Sequence, residues 1–233
     1  MEKNKNIDEP VILGLETSGR ICGVSVTKGA EMLVEMNINA YRSHTEKIFN
    51  LIVCACDNAG VTFSDIDLIA VSMGPGSYTG LRVGLSTAKG FAYSLGKPVA
   101  GISTFNVLAY PFRDYPGRVF IIIPSKSGEY YLSELSVEGN CEAGTGKVNV
   151  IMLPELYEKI KLKKSGICGI FNGMDLDYVR NSLGCCVLGM PEAYPRSYCV
   201  SLLGYEKYRK KEFSDLDIME PFYFKDFPDK NAS

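Results

Sequence analysis

The residues of this sequence with the strongest potential for chemistry form a glycine-rich stretch, SMGPGSYTGLRVGLSTAKG, from Ser72 to Gly90. Glycine loses more conformational freedom on folding than any other residue, so such a cluster needs a local reason. Gly74, Gly76 and Gly80 lie between a predicted strand and a predicted helix, where free backbone N–H groups can bind an anion. Their spacing, G-x-G-x-x-x-G, matches neither the dinucleotide-binding fingerprint nor the Walker loop, which ends in Gly-Lys-Ser or Gly-Lys-Thr.

A second polar turn lies earlier in the chain, in the segment GLETSG from Gly14 to Gly19. It places Glu16, Thr17 and Ser18 directly after the first predicted strand, where an acid and two hydroxyls can hold a phosphate or a metal-bound water. On local chemistry alone, a turn stabilised by its own hydroxyl side chains is the better explanation. The possible nucleotide or anion loop predicted from both segments consists of Glu16, Thr17, Ser18, Gly74, Gly76 and Ser77.

Nucleophilic and metal-assisted chemistry have weaker support in this sequence. A nucleophile elbow requires G-x-S-x-G, whereas Ser77 follows Gly76 directly, and His44 is the only histidine. The eight cysteines include no C-x-x-C pair, so a zinc site would have to draw them from scattered segments. We therefore expect reduced, structural thiols, no metal and no cofactor.

Composition and charge narrow the class of protein. With 233 residues, 46% of them hydrophobic and 22% charged, the chain can form one large or two small globular domains. A net charge of −2 lacks the positive excess typical of a protein that binds nucleic acid by itself. We interpret the basic runs Lys159 to Lys164 and Lys207 to Lys211 as solvent-exposed faces. No apolar run approaches the ~20 residues of a membrane span, and no signal-peptide pattern opens the chain, so we expect a cytoplasmic protein.

The elements that must position these residues follow from hydrophobic periodicity. The first half is predicted to run βββαβαβ, with strands at 11–16, 21–26, 32–38, 68–73 and 99–102 and a second helix at 79–95. The first helix is expected to begin with a capping box of Ser43 and Glu46 and to end at Gly60. The second helix is expected to bury one face, which consists of Leu81, Leu85, Ala88, Ala92 and Leu95.

The remainder of the chain repeats this order loosely. Strands are predicted at 118–123, 129–137, 147–152, 166–171 and 185–188, and helices at 154–162, 174–182 and 194–203. Two βββαβα halves indicate a duplication, and strands that alternate with helices imply parallel pairing within each half. We expect domains at 1–112 and 113–213, followed by a loop-like tail at 214–233 whose PFYF segment docks on the rest.

The predicted second helix also carries a stripe of small residues. Gly80, Gly84 and Ala88 are four residues apart, so one face of the helix is nearly bare and another backbone can approach it closely. Such a face usually serves packing within the protein. The alternative is contact with a helix of a partner, and the pattern leaves both open.

Several segments together are similar to the TsaB (YeaZ) family: VILGLETSG, SHTEKIFNLI, the run from LIAVSMGPGSYTG to STFNVLA, and the terminal MEPFYFKD. The resemblance is dense from Val11 to Ala109 and thin beyond. It implies an α/β fold shared with sugar kinases, actin and Hsp70 (the ASKHA fold), made of two RNase H-like βββαβα halves. It also implies a partner and activator of TsaD, which adds threonylcarbamoyl to adenosine in tRNAs that read codons beginning with A.

This resemblance draws attention to a missing metal ligand. TsaD-like proteins carry H-x-x-x-H, whereas the matching segment here begins with His44 and ends with Ile48. No other histidine exists to complete the pair, so the resemblance implies a non-catalytic subunit. A glycoprotease-type metallopeptidase and a weak ATP-binding hydrolase remain as alternatives. Glu16 stands where many members have aspartate, which weakens the expectation of nucleotide binding.

The resemblance further implies a partner surface on the helices that follow the Ser/His segment and the glycine-rich turn. The expected interface consists of His44, Ile48, Leu51, Ile52, Ala55, Gly80, Arg82, Gly84 and Ala88. The implied partners are a TsaD-like transferase in a heterodimer, a TsaE-like ATPase in the assembly, and a second copy of the chain when it is alone. Contact with tRNA is expected to be indirect, and none with a membrane is expected. Gly84→Arg should therefore abolish the complex and leave the monomer folded.

Overall fold

The computed structural model describes residues 9–40, 43–115, 117–126, 128–136, 148–163, 166–170, 174, 176–182, 186–188 and 194–222. The first half contains β1 (Val11–Glu16), β2 (Ile21–Lys28), β3 (Glu31–Asn39), α1 (His44–Ala59), β4 (Ile66–Gly74), α2 (Tyr78–Leu95), β5 (Val99–Ser103) and α3 (Thr104–Ala109). The rest contains β6 (Arg118–Pro124), β7 (Glu129–Ser136), β8 (Asn149–Met152), α4 (Leu153–Lys163), β9 (Gly166–Gly169), α5 (Leu176–Ser182), β10 (Cys186–Val187) and α6 (Ser197–Lys210).

These strands form two sheets with the same topology. The first sheet has the order β3-β2-β1-β4-β5, and the second has the order β8-β7-β6-β9-β10. In each, the first three strands of the half pair antiparallel and the last two join in parallel. The expected duplication into two RNase H-like halves is confirmed. Within the described ranges, no helix is long and apolar enough to cross a membrane.

The helices α1 and α2 cover one face of the first sheet. Successive side chains of a strand point to opposite faces, and Leu13 and Leu15 of β1 belong to the cluster that packs under these helices. Gly60 and Gly96 end α1 and α2 in the left-handed conformation, as expected for Gly60. The expected capping box at Ser43 is wrong. Its backbone is not in the extended conformation typical of an N-cap, and its side chain makes no capping bond.

The helix α6 covers the opposite face of the first sheet, although it comes late in the chain. Val200 of α6 packs with Ile12 of β1 and Leu68 of β4 in one buried cluster. Gly204 allows this close approach, since a Cβ there would lie 2.6 Å from the Cβ of Ala70. The helix predicted at 194–203 begins three residues later and ends seven residues later than expected. It packs on the sheet of the first half.

The tail also returns to the first half. The N–H of Ser214 donates to the carbonyl of Val99 at 2.8 Å, and Met219 is 6% exposed within the core under α1 and α2. The N–H of Phe222 donates to the carbonyl of Met73 at 2.7 Å. The expected docking of the PFYF segment is confirmed for Pro221, which is buried, and for Phe222, while its last two residues lie outside the described residues.

Candidate functional site

A buried carboxyl group lies where the parallel strands of the first sheet end. Glu16 is the last residue of β1 and is 1% exposed. Its Oε1 accepts two hydrogen bonds from Ser18, one from the N–H at 2.6 Å and one from the hydroxyl at 2.5 Å. The Ser72 side chain of β4 also bonds Glu16 and accepts the N–H of Thr17 at 3.4 Å. The acid of the GLETSG segment therefore organises its own turn.

Burial changes the acidity of this group. Loss of hydration raises the pKa of Glu16 to about 7, although its hydrogen bonds with Ser18 and Ser72 oppose the shift. The second oxygen, Oε2, is buried and has no hydrogen-bond partner among the described residues. Both the ionised and the neutral carboxyl are consequently populated near neutral pH.

Gly76, Gly80 and Gly84 pack closely against the turn between β1 and β2. A Cβ at Gly76 would lie 2.8 Å from the Cβ of Ser18 and closer still to its carbonyl oxygen. A Cβ at Gly80 would overlap the carbonyl oxygen of Thr17, and one at Gly84 would overlap the Thr17 hydroxyl. The small-residue stripe therefore serves packing within the protein.

The expected nucleotide or anion loop has its donors engaged. The N–H of Ser18 donates to Glu16, and the N–H of Ser77 donates to the carbonyl of Ser18 at 2.7 Å. The N–H of Gly80 donates to the Ser77 hydroxyl at 3.3 Å, and Gly74 lies against the backbone of Phe222. These three backbone donors are satisfied within the chain, so an anion would have to displace existing hydrogen bonds.

Most side chains of the expected partner surface are buried in the monomer. The residues that pack inside the first half are Ile48, Ile52, Ala55, Gly80, Gly84 and Ala88. Leu51 is half-buried against the same core, whereas Arg82 is exposed. Burial argues against direct partner contact by Ile52, Ala55, Gly80, Gly84 and Ala88, which lie on the inner faces of α1 and α2, whereas Ile48 also lines the groove between these helices. The expected result for Gly84→Arg is wrong for the same reason, since any side chain there meets Thr17.

The outer faces of α1 and α2 instead form an open groove of about 460 Å³. Its lining consists of Thr45, Ile48, Tyr78, Thr79, Arg82, Val83, Ser86 and Thr87. The Arg82 guanidinium lies over the ring of Tyr78, 4.2 Å from its centroid. Phe49, which follows the groove-lining Ile48 in α1, is 53% exposed and stacks on Phe91 of α2 with ring centroids 6.1 Å apart. Sequence reasoning missed Phe49 and Tyr78 as surface residues. The signal that could have found them is an aromatic residue at a helix position that does not belong to the periodic set of buried residues.

The histidine of α1 is buried at the start of this helix. Burial lowers the pKa of His44, and the backbone of Ile21 and Gly19 partly offsets that effect. One helical turn later, Ile48 is 3% exposed within the hydrophobic core. In the part of the chain that the structure describes, no group of three or more His, Cys, Asp or Glu side chains could hold a metal ion.

Comparisons with known proteins agree with this architecture. The family model described as "TsaD: tRNA N6-adenosine threonylcarbamoyltransferase" matches residues 38–154. The tRNA threonylcarbamoyladenosine biosynthesis protein TsaB of Buchnera aphidicola subsp. Schizaphis graminum is 32% identical over 162 residues, which cover 67% of this chain and 76% of that protein. TsaB of Bacillus subtilis is 24% identical over 221 residues, which cover 92% of this chain and 93% of that protein.

A solved structure extends the comparison to the fold. YeaZ from Pseudomonas aeruginosa has a TM-score of 0.69 at 21% identity, covering 92% of this chain and 99% of that chain. At this identity the likeness concerns the fold, and it agrees with the two halves described above. Because the sequence also matches TsaB of Buchnera over most of that protein's length, this chain belongs to the TsaB (YeaZ) family.

Proposed function

We propose that this chain is a non-catalytic subunit that binds and activates a TsaD-type transferase in the threonylcarbamoyladenosine modification of tRNA. The observation that carries this proposal is the position of Ile48. It lies one helical turn after His44, where the resemblance places a second metal-binding imidazole, and its side chain is buried in the core. A metal site of two imidazoles cannot form on α1, whereas the helix itself is well packed.

The partner surface in this proposal is the outer face of α1 and α2, and not the inner face on which most residues of the interface implied by the resemblance lie. We define the α1–α2 surface as the groove lining together with Phe49. It combines exposed aromatic rings, an arginine and several hydroxyls, and aromatic residues and arginine are enriched in the cores of protein interfaces. Its position on rigid helices makes it suitable for binding with little rearrangement.

The wider assembly follows from the same proposal. The transferase would form a heterodimer with this chain through the α1–α2 surface, and a TsaE-like ATPase would join that assembly. In the absence of the transferase, two copies of the chain would pair through the same surface. Contact of this chain with tRNA would then be indirect, through the other subunits, which suits a net charge of −2.

A reconstitution that omits one component at a time tests the function. With the transferase, the ATPase, an enzyme that supplies the threonylcarbamoyl adenylate, and unmodified tRNA, modification should require this chain. The chain alone should modify no tRNA. Full modification in its absence would contradict the proposal, as would modification by the chain without the transferase.

A further inference from the structure

A chain of hydrogen bonds joins the buried carboxyl of Glu16 to the start of α2. Oε1 of Glu16 accepts both the N–H and the hydroxyl of Ser18, at 2.6 Å and 2.5 Å. The carbonyl of Ser18 accepts the N–H of Ser77, the N-cap residue of α2, at 2.7 Å. The Ser77 hydroxyl in turn accepts the N–H of Gly80 at 3.3 Å. The conformation of the β1–β2 turn is thus coupled to the first turn of α2.

Close packing between the β1–β2 turn and the start of α2 leaves little room for one to move without the other. Gly76 and Gly80 rest directly on the backbone of Ser18 and Thr17, at distances where a Cβ would not fit. Tightly packed contacts transmit small displacements because they are not easily compressed. The first turns of α2 also carry Tyr78 and Arg82, which line the groove of the α1–α2 surface.

We propose that Glu16 is a positioning residue for the α1–α2 surface: its ionised carboxylate holds the β1–β2 turn, and through Ser18 and Ser77 the first turn of α2, in the shape that the partner binds. This inference rests on the proposed function. Hydrogen bonds to an ionised acceptor are shorter and roughly twice as strong as those to a neutral one. Protonation of Glu16 loosens the turn and weakens partner binding.

The titratable groups around Glu16 lie on β2, α1 and α6, and the pH dependence in this proposal is that of Glu16 itself. Burial brings its pKa to about 7. The nearby thiols of Cys22 in β2 and Cys199 in α6 have pKa values raised to about 11 by burial, so both are uncharged near neutral pH. On α1, burial lowers the pKa of His44, and Lys47 interacts electrostatically with Cys22.

Ionisation of Glu16 acts on folding in the opposite sense. Because its pKa in the folded protein is above the ordinary value of 4.5, ionisation lowers stability progressively as the pH rises from 4.5 to about 7, and the full cost applies above that pH. Glu16→Gln removes that cost and also removes the charge that strengthens the bonds from Ser18. A purely structural role would make stability and partner binding change together, whereas a positioning role makes them change in opposite directions.

The test measures the affinity of the full chain for the TsaD-type transferase of the same genome by calorimetry at pH 6, 7 and 8, with thermal unfolding in parallel. The unchanged chain should bind on the order of tenfold more tightly at pH 8 than the Glu16→Gln variant, with the ratio approaching one at pH 6. The variant should nevertheless have the higher Tm at pH 8. Because the two proteins are compared at each pH, any effect of titrating groups in the transferase on the affinity cancels in the ratio. Glu31→Gln, an exposed change on β3, should behave like the unchanged chain.

The calorimetry distinguishes failure of this inference from failure of the proposed function. Equal affinity of both proteins at pH 8 would overturn the inference and leave the proposed function intact, whereas no binding by the unchanged chain at any pH would contradict the proposed function. Hydrogen exchange of the amides of Ser77 and Gly80 tests the inference without a partner: corrected for intrinsic rates, exchange at pH 8 should be faster in Glu16→Gln, and unchanged exchange would overturn it. Ser18→Ala, which removes only the hydroxyl bond, provides a second variant with a smaller loss of affinity.

Discussion

Gly84 of α2 lies against Thr17 of the β1–β2 turn, so closely that a Cβ at Gly84 would overlap the Thr17 hydroxyl. Two segments that are far apart in sequence thereby meet with no room for a side chain. The glycine-rich stretch is therefore a packing device, which joins the helix α2 to the polar turn at the end of β1.

The first prediction concerns that contact. Gly84→Ala should lower the free energy of unfolding by about 1–3 kcal/mol, because the added methyl group overpacks the site. Gly90 is the matched control, since it is in the same helix and a Cβ there would meet nothing within 4 Å. Gly90→Ala should raise stability by about 0.5–1 kcal/mol through helix propensity. Denaturant unfolding measures both, and equal effects at the two positions would contradict the packing account.

The second prediction concerns the pH dependence of stability. Glu16→Gln should raise the free energy of unfolding by up to about 3 kcal/mol at pH 8, because the folded pKa of Glu16 is about 7 and its ordinary value is 4.5. The gain should shrink between pH 7 and pH 4.5 and vanish below, where the carboxyl is neutral in both the folded and the unfolded chain. Denaturant unfolding across this range measures the difference. A gain that stays constant with pH would show that ionisation is not its source.

The third prediction concerns the attachment of α6. Glu35 of β3 accepts the N–H of Tyr198 at 3.1 Å and pairs with Arg196, so it caps α6 from another element. The N-cap residue of α6, Arg196, makes no side-chain capping bond itself. Glu35→Ala should cost about 1–3 kcal/mol of stability, because it leaves a helix-terminal N–H without its partner.

Glu31→Ala is the control for this prediction, since Glu31 is exposed on the same strand. It should change the free energy of unfolding by less than about 0.5 kcal/mol. If both alanine variants were equally stable, Glu35 would not be the cap of α6.

Sequence patterns were sufficient for the order of the elements and for the duplication. They did not supply the antiparallel pairing of the first three strands in each half, where parallel pairing was expected, or the packing of α6 on the first sheet. The strand from Val11 and the helix ended by Gly60 are where periodicity and turn chemistry put them. The repeated βββαβα order was enough to infer the duplication, because each half follows the same rules of strand pairing.

The parts that sequence could not supply depend on contacts between distant segments. Glu35 caps α6 through the N–H of Tyr198, and the two residues are 163 positions apart in the sequence. No local sequence pattern can contain such a pair. A stripe of small residues looks the same in sequence whether the backbone that approaches it is that of Thr17 or that of another protein. The sequence pattern of α2 therefore could not show that this face packs inside the protein. The outer face, with Phe49 and Tyr78, has no periodic signature of its own.

The central claim, that the chain acts by binding a transferase through the α1–α2 surface, is tested most directly by one pair of variants. Ser86→Arg places a large charged side chain in the groove, and Ser94→Arg places the same side chain on an exposed part of α2 outside it. Both variants should unfold like the unchanged chain. In a titration with the TsaD-type transferase, Ser86→Arg should weaken binding by at least about a hundredfold, consistent with blocking the centre of an interface, while Ser94→Arg should bind as the unchanged chain does. Tight binding by the folded Ser86→Arg variant would contradict the account.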